Sequence, residues 1–299
     1  MADTFIGMVV RSDGPQVTVR APDGGEWRCT LRGRLRKQLV GATNPIAVGD
    51  RVEVQQITPG EGVVETVLPR RSRLARRAAG TIPREHVLAA NLDLAVIVVA
   101  APPRPTVIDR YLALVSAGGC TALVCVNKID LVETAAVEAT VAPYRLQASV
   151  LLTSALTGVG LDALRGHLAG KLAAFVGPSG AGKSSLLNAL APDLGLPVGA
   201  LGVSGRGQHT TSWAATYALA DGLVVDTPGL REIGFLDDEG QQAAVDLFPE
   251  VTALAGECHF RDCSHTHEPR CAVKAALEAG ALDEVLYRRY ARLARSGRL

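Results

Sequence analysis

The chain has 299 residues, 47% of them hydrophobic and 20% charged, a composition that excludes an intrinsically disordered chain and leaves room for two or three globular domains. Its longest apolar stretch, around Leu94 to Pro103, falls short of the roughly 18 residues a membrane span needs, and Met1-Ala2-Asp3-Thr4 lacks the basic, apolar pattern of a signal peptide; a soluble, cytoplasmic protein with no membrane partner is expected. The net charge of +1 hides an asymmetry, because residues 1–90 hold 14 Lys+Arg against 9 Asp+Glu (+5) and residues 91–299 hold 17 against 21 (−4), which makes the amino-terminal part the electrostatic candidate for nucleic acid.

Residues 5–68 carry short alternating runs such as Gln16 to Arg20, Glu26 to Leu31 and Arg51 to Val54, separated by turn signals at Asp13-Gly14, Asp23-Gly24-Gly25, Gly49-Asp50 and Pro59-Gly60. Strands at this spacing predict a small β-barrel over residues 1–68, most economically an OB-type barrel. Arg70, Arg71, Arg73, Arg76 and Arg77 then crowd a stretch with one leucine and no clear period, so residues 69–90 are expected as a basic linker. From Leu92 apolar strands alternate with helices: strands at Leu94 to Ala100, Thr121 to Val126, Ser149 to Thr153 and Leu172 to Val176, and helices at Ile108 to Ser116, from about Val132, and at Leu161 to Ala169. That alternation predicts a parallel sheet covered on both faces, assigned to residues 91–235. After Gly229 the strand signal stops, and Gln241 to Leu254, Ala272 to Ala279 and Leu282 to Arg295 predict a helical region over residues 236–299.

Three motifs stand in the α/β part. Gly177-Pro178-Ser179-Gly180-Ala181-Gly182-Lys183-Ser184 follows an apolar strand and opens the helix that continues through Ser185, which is the context a phosphate loop requires. Its glycines let successive N–H groups face phosphate oxygens, Lys183 would neutralise the β- and γ-phosphates, and Ser184 would ligate Mg²⁺. Asn127-Lys128-Ile129-Asp130 ends another strand; the Asp130 carboxylate can accept from both N1–H and the 2-amino group of guanine, which adenine lacks, with Lys128 over the ring and Asn127 tying loops together. Alone, this motif could be a helix start. It gains meaning from Thr153-Ser154-Ala155-Leu156, which ends the next strand as the loop beneath the guanine O6 does, with Ser154 and Ala155 at the base. Asp226-Thr227-Pro228-Gly229 places a carboxylate at a strand tip for the Mg²⁺ water shell and the Gly229 N–H as a γ-phosphate sensor. In a Ras-like domain the phosphate loop comes first and the base-reading motif late; here the order is rotated, which predicts a circularly permuted, GTP-binding P-loop G domain.

Gly205 to Thr211 is a polar loop suited to closing over Mg²⁺ with either Thr210 or Thr211. Leu230 stands where Ras-like enzymes carry the glutamine that orients water, so intrinsic hydrolysis is expected to be slow, and His209 is the nearest residue able to orient or deprotonate water; the alternative is a solvated histidine. Arg206 could stabilise transition-state charge in cis, with a solvated arginine or one that meets RNA as the favoured alternatives. Cys258-x4-Cys263-x-His265-x5-Cys271 offers three thiolates and an imidazole, the set of a structural Zn²⁺ site, with His259 and His267 as rival ligands and reduced free cysteines as the plain alternative. The arginines of the 70–77 run and of the tail, Arg288, Arg289, Arg292, Arg295 and Arg298, are ordinarily solvated faces; two such stretches on one chain favour phosphate-backbone contacts. With only Phe5 and Trp27 as aromatics in residues 1–90, recognition of structured RNA by shape and charge is expected over base stacking.

Barrel, permuted G domain and Cys/His cluster in this order resemble the RsgA family, circularly permuted GTPases of small ribosomal subunit biogenesis. The resemblance runs from about Val10 to the C-terminal helices and rests on Arg32-Gly33-Arg34-Leu35-Arg36-Lys37, Asn127-Lys128-x-Asp130, Gly205 to Thr211, Asp226 to Gly229 continuing into Arg231-Glu232, and the Cys258-Cys263-His265-Cys271 pattern. It implies Mg²⁺-dependent GTP hydrolysis stimulated by the small ribosomal subunit, rRNA contacts through barrel and zinc domain, and release on hydrolysis, by a protein expected to be a monomer. The permutation suggests that order in the loops around GTP passes to the zinc domain through the connection after Gly229. An ATP-dependent metabolic or transport enzyme, which Asp130 argues against, and an RNA-binding zinc protein with a dead nucleotide site, which Lys183, Ser184 and Asp226 argue against, are the competing classes.

Overall fold

The structure, a computed structural model, describes residues 3–13, 16–33, 35, 46–77, 85–194, 214–219, 222–226 and 247–296. Its first five strands are β1 (Thr4–Asp13), β2 (Gln16–Arg20), β3 (Glu26–Leu31), β4 (Arg51–Thr58) and β5 (Glu61–Val67). β1 pairs with β2, β2 with β3, β3 in parallel with β5, β5 with β4, and β4 back with β1, which closes the barrel in the order of an OB fold, as expected. The alternation in the sequence sets its interior: Val9, Val17, Val19, Cys29, Val52, Val54 and Val64 point inward, and Phe5 packs on Trp27 with ring centroids 5.2 Å apart.

β1 changes partner along its length. Residues Thr4 to Met8 pair with β4; a bulge between Val9 and Arg11 bends the strand, and Arg11 and Ser12 then pair with Ala215 and Ala214 of β12 (Ala214–Leu219). Barrel and central sheet therefore run together as one eleven-stranded sheet.

The stretch expected as a linker carries a hairpin, β6 (Arg73–Arg77) paired with β7 (Glu85–Ala90), with Leu74 wholly buried. It also fastens the barrel. Arg70 forks onto the buried Asp50 carboxylate at 2.7 and 2.8 Å, and Asn91, at φ 52, donates to the Gly49 carbonyl at 3.0 Å while accepting from the Arg71 N–H at 2.8 Å. Arg70 is thus a structural cation here, a correction to reading the whole arginine run as an RNA face. Gly49 sits at φ +90, and a Cβ there would lie 2.0 Å from the Ala90 carbonyl oxygen. Since backbone cannot yield as a side chain can, Gly49→Ala is expected to cost about 2–3 kcal/mol, read as a lowered midpoint in urea unfolding.

In the central sheet β10 (Ser149–Leu152), β9 (Ala122–Asn127), β8 (Leu94–Ala100), β11 (Leu172–Val176) and β13 (Gly222–Asp226) are parallel neighbours in that order, and β12 joins antiparallel beyond β13. β8 and β11 are buried nearly throughout, as continuous apolar runs in a parallel sheet require. α3 (Leu161–Leu168) and α4 (Lys183–Leu190) cover one face with Leu164, Leu168, Leu186 and Leu187. α1 (Pro105–Ala117) covers the other with Ile108, Leu112 and Val115, and α2 (Thr134–Val141) flanks it through Val137 and Val141.

The C-terminal helices α5 (Pro249–Ala255), α6 (Ala272–Glu278) and α7 (Glu284–Ser296) build onto the α1 face, where Phe248, Val251, Val273, Tyr290 and Leu293 enter the same core. The part of the expected 241–254 helix before residue 247 lies outside the described residues. No helix among the described residues is long and apolar enough to cross a membrane.

Candidate nucleotide site and metal centre

Every parallel strand ends toward one edge of the sheet, the position at which open α/β sheets hold ligands. The Gly177 to Ser184 loop leaves β11 there and turns into α4. Gly177 (φ 137), Gly180 (φ 77) and Gly182 (φ 96) all adopt backbone that side chains resist, and a Cβ on Gly177 would meet the Val98 carbonyl at 2.1 Å. Lys183 folds back over the loop, its Nζ donating to the carbonyls of Gly177 at 2.6 Å and Pro178 at 2.8 Å. The ammonium is thereby held at the mouth of the nest formed by the loop's N–H groups.

Asn127 ends β9, is 1% exposed, and joins three segments. Its Nδ2 donates to the Ala181 carbonyl at 3.1 Å, and its Oδ1 accepts from the Ala155 N–H at 3.1 Å. Lys128 takes the left-handed conformation at φ 68 and donates from Nζ to the Gly180 carbonyl at 2.8 Å, bridging the phosphate loop a second time. The Ser154 hydroxyl donates to Asp130 Oδ1 at 2.5 Å and accepts from the Thr157 N–H at 3.1 Å, which aims the carboxylate while leaving its other oxygen available. Behind them Cys125 Sγ lies 3.2 Å from Thr153 Oγ1, and burial pushes the Cys125 thiol up to about 11, so it stays a neutral packing group. The structure therefore brings Asn127, Lys128, Asp130, Ser154, Ala155 and the Gly177 to Ser184 loop together. The backbone of Asp226 closes β13, next to β11 in the sheet. Its side chain, and Arg206, His209, Thr210, Thr211, Thr227, Gly229, Leu230, Arg231 and Glu232, lie outside what is described, as do Arg34, Arg36 and Lys37 of the barrel.

The second constellation lies between α5 and α6. Cys258 Sγ, Cys263 Sγ, the His265 ring nitrogen and Cys271 Sγ all fall within 4.8 Å of one another. A tetrahedral ion with metal–sulfur bonds of about 2.3 Å sets its sulfurs about 3.8 Å apart and sulfur from nitrogen about 3.5 Å. Cys258 Sγ and Cys271 Sγ are 3.8 Å apart, and His265 Nδ1 lies 3.4 and 3.5 Å from them, so these three donors fit one face of that tetrahedron, with Cys263 Sγ within 4.8 Å of each. The left-handed backbone at His265 (φ 58) and Arg270 (φ 54) turns the loop back on itself to do so. Glu268 stiffens it, accepting from the N–H and hydroxyl of Ser264 at 2.9 and 2.6 Å and from the Thr266 and His267 N–H groups. Against the burial that would raise it, these bonds hold its carboxyl well below the usual range. The cluster could hold a metal ion; His259 and His267 are not in the set.

Two residues that matter to this arrangement escaped sequence reading. Asp109 on α1 and Gln147 before β10 grip Arg289 of α7: Arg289 Nε donates to Asp109 Oδ1 at 2.9 Å and an Nη to Gln147 Oε1 at 2.6 Å. Arg289 is 5% exposed and stacks 4.0 Å above the Tyr144 ring, so it is no part of a solvated basic tail, a correction to grouping it with Arg288, Arg292 and Arg295. The signal was present as helical phase, for Leu286, Arg289, Tyr290 and Leu293 share one stripe.

Fold and site define a circularly permuted P-loop GTPase with an OB barrel before it and a Cys₃His module behind. The chain belongs to the RsgA GTPase family: the RsgA GTPase domain profile matches residues 67–236 and the RsgA N-terminal domain profile residues 6–64. It is similar to "Small ribosomal subunit biogenesis GTPase RsgA" of Gemmatimonas aurantiaca, 39% identical over 98% of this chain and 97% of the relative, and of Moorella thermoacetica, 39% identical over 90% and 89%. Among solved structures, YjeQ from Thermotoga maritima superposes with a TM-score of 0.75 at 32% identity over 98% of both chains. YloQ, described as a circularly permuted GTPase, gives 0.69 at 28% identity over 99% of this chain and 96% of that one.

Proposed function

We propose that this chain is a Mg²⁺-dependent GTPase of late small ribosomal subunit maturation, turned on by that subunit and released from it when GTP is hydrolysed. The observation that carries the reading is that Asn127 and Lys128 bond to the Gly177 to Ser184 loop while Ser154 aims Asp130 beside them, in a chain of the RsgA family. The names of its relatives support the ribosomal partner.

In this reading the free oxygen of Asp130 and its partner accept from guanine N1–H and the 2-amino group. Lys183 exchanges its two carbonyl partners for the β- and γ-phosphates. Ser184, Asp226 and one of Thr210 or Thr211 hold the Mg²⁺, which neutralises phosphate charge when bound. Gly229 senses the γ-phosphate, and His209 orients the water in place of the glutamine that Leu230 replaces. Cys258, Cys263, His265 and Cys271 hold a structural Zn²⁺. Barrel and zinc module contact rRNA, and the protein works as a cytoplasmic monomer.

The test is GTP turnover with and without small ribosomal subunits. A slow rate raised many-fold by the subunit and abolished in Lys183→Ala supports the reading; an unchanged rate sinks the partner assignment. Asp130→Asn replaces one acceptor oxygen by a donor facing the guanine 2-NH₂, so GTP affinity is expected to fall about 100-fold while xanthosine triphosphate, which keeps N1–H and carries a carbonyl acceptor in place of the amine, gains; equilibrium titration with both nucleotides checks this.

A further inference from the structure

Helix α7 touches two places at once. On one side the Tyr287 hydroxyl donates to the His265 carbonyl at 2.9 Å and the Tyr290 hydroxyl to the Ser264 carbonyl at 3.2 Å, so the metal-ligand loop is hung from this helix by its backbone. On the other side Arg289 grips Asp109 and Gln147. Each of those residues is connected to the base-reading loops through one element, Asp109 through α1 and Gln147 through β10. α1, which carries Asp109, is reached from the end of β8, where the Ala101 N–H donates to the Asn127 carbonyl at 2.8 Å. Gln147 stands two residues before β10, which runs into Thr153 and Ser154, and Ser154 holds Asp130. Gln147 also donates to the Leu247 carbonyl at 2.9 Å, anchoring the entry to the metal module. The path from His265 to Asn127 and Asp130 is therefore a continuous run of hydrogen bonds and rigid elements, and it passes on the guanine side of the site.

We propose that Arg289 is a positioning residue for guanine recognition, tying the metal-ligand loop to the loops of Asn127 and Asp130, so that the base and the metal ion stabilise each other's sites whatever the state of the γ-phosphate. The inference rests on the guanine reading above, and adds a contact that does not depend on the connection after Gly229. A path of contacts establishes coupling only when binding at one end changes binding at the other, and that change is reciprocal.

The experiment uses the zinc-loaded full chain and follows transfer of the metal to a chromogenic chelator, alone and with saturating GDP or GTP. GDP and GTP are expected to slow transfer equally, by about fivefold or more. In the double variant Asp109→Leu/Arg289→Met, which removes both buried charges together, GDP is expected to bind with an affinity lower by about the lost coupling factor, by fluorescent-nucleotide titration, while at saturation its protection falls below about twofold. Arg289→Lys, which keeps the charge without the fork, should recover part of it. Full protection in the double variant, or protection by GTP alone, overturns the proposal. Should the double variant not fold, Gln147→Ala removes the bonds to Arg289 and to the Leu247 carbonyl and leaves the Arg289–Asp109 pair in place; reduced protection there supports the proposal, and unchanged protection overturns it. No GDP binding by the native chain overturns the guanine reading and this inference with it, whereas binding without protection overturns the inference alone.

Discussion

Arg289→Met is expected to destabilise the protein by about 3–5 kcal/mol, because it strands the Asp109 carboxylate, 1% exposed, without its cation. Burial already pushes the Asp109 carboxyl above its ordinary value, and Arg289 is the main influence opposing that rise. The truncated side chain also gives up stacking over Tyr144 and Phe248, whose ring centres lie 4.0 and 5.4 Å from the guanidinium carbon. Removing both charges is another matter, since a buried pair costs nearly as much to desolvate as it returns. Asp109→Leu combined with Arg289→Met should therefore regain most of the loss. Thermal unfolding of the two single variants and the double closes a mutant cycle. Additive losses in the double would show that the pair is not the element that docks α7. The same reasoning bears on removing the residues after about Gly256 to test transmission from the nucleotide. That deletion uncovers Asp109 and the α1 face together, so unfolding and lost signalling would look alike, and point substitutions separate them.

What the sequence could disclose depended on whether the determining force was local. β8 and β11 begin and end where expected, because a parallel strand buried on both faces needs an unbroken apolar run. The phosphate loop was legible because glycine placement is a backbone requirement, and the Cys/His cluster because metal ligands must be particular residue types. The β6–β7 hairpin was not. Its arginines carry no period, and what makes Arg73 to Arg77 a strand is the partner Glu85 to Ala90 and the seat of Leu74, neither visible locally. β12 reads Ala-Ala-Thr-Tyr-Ala-Leu, weak as a strand by propensity; it is held by β13 on one side and β1 on the other. That Asn127 ties loops together could be expected from its motif, but its partners, the Ala181 carbonyl and the Ala155 N–H, exist only once three strand ends meet. For Arg289, charge density in the sequence spoke for solvent and helical phase for the core, and phase decided.

Removing the Zn²⁺ proposed for the Cys/His set should have the largest effect of all on the C-terminal part. Structural Zn²⁺ in a Cys/His set contributes on the order of 10–16 kcal/mol in small modules, comparable to the whole stability of a typical domain. Between Gly256 and Cys271 there is no helix or strand to hold the chain; the loop keeps its shape through Glu268, the two tyrosine hydroxyls and the ligand set. Three thiolates and an imidazole within 4.8 Å of one another, without an ion, would repel or protonate apart. Chelation, or Cys271→Ser, is thus expected to unfold residues from about 256 through α6, with loss of helical circular dichroism and exposure of the apolar face to a hydrophobic dye. Nucleotide binding should survive with an affinity weaker by less than about tenfold, because the phosphate loop, Asn127 and Asp130 are held by β8 to β11 and keep their own bonds to one another. The proposed stimulation by the small ribosomal subunit should vanish with the metal, as the proposed rRNA contact of the metal module requires. A chelated protein that keeps its helical signal and melts unchanged would mean the four donors are reduced cysteines and a histidine packed by the fold alone, and the module's stability would have to be found in the α1 face.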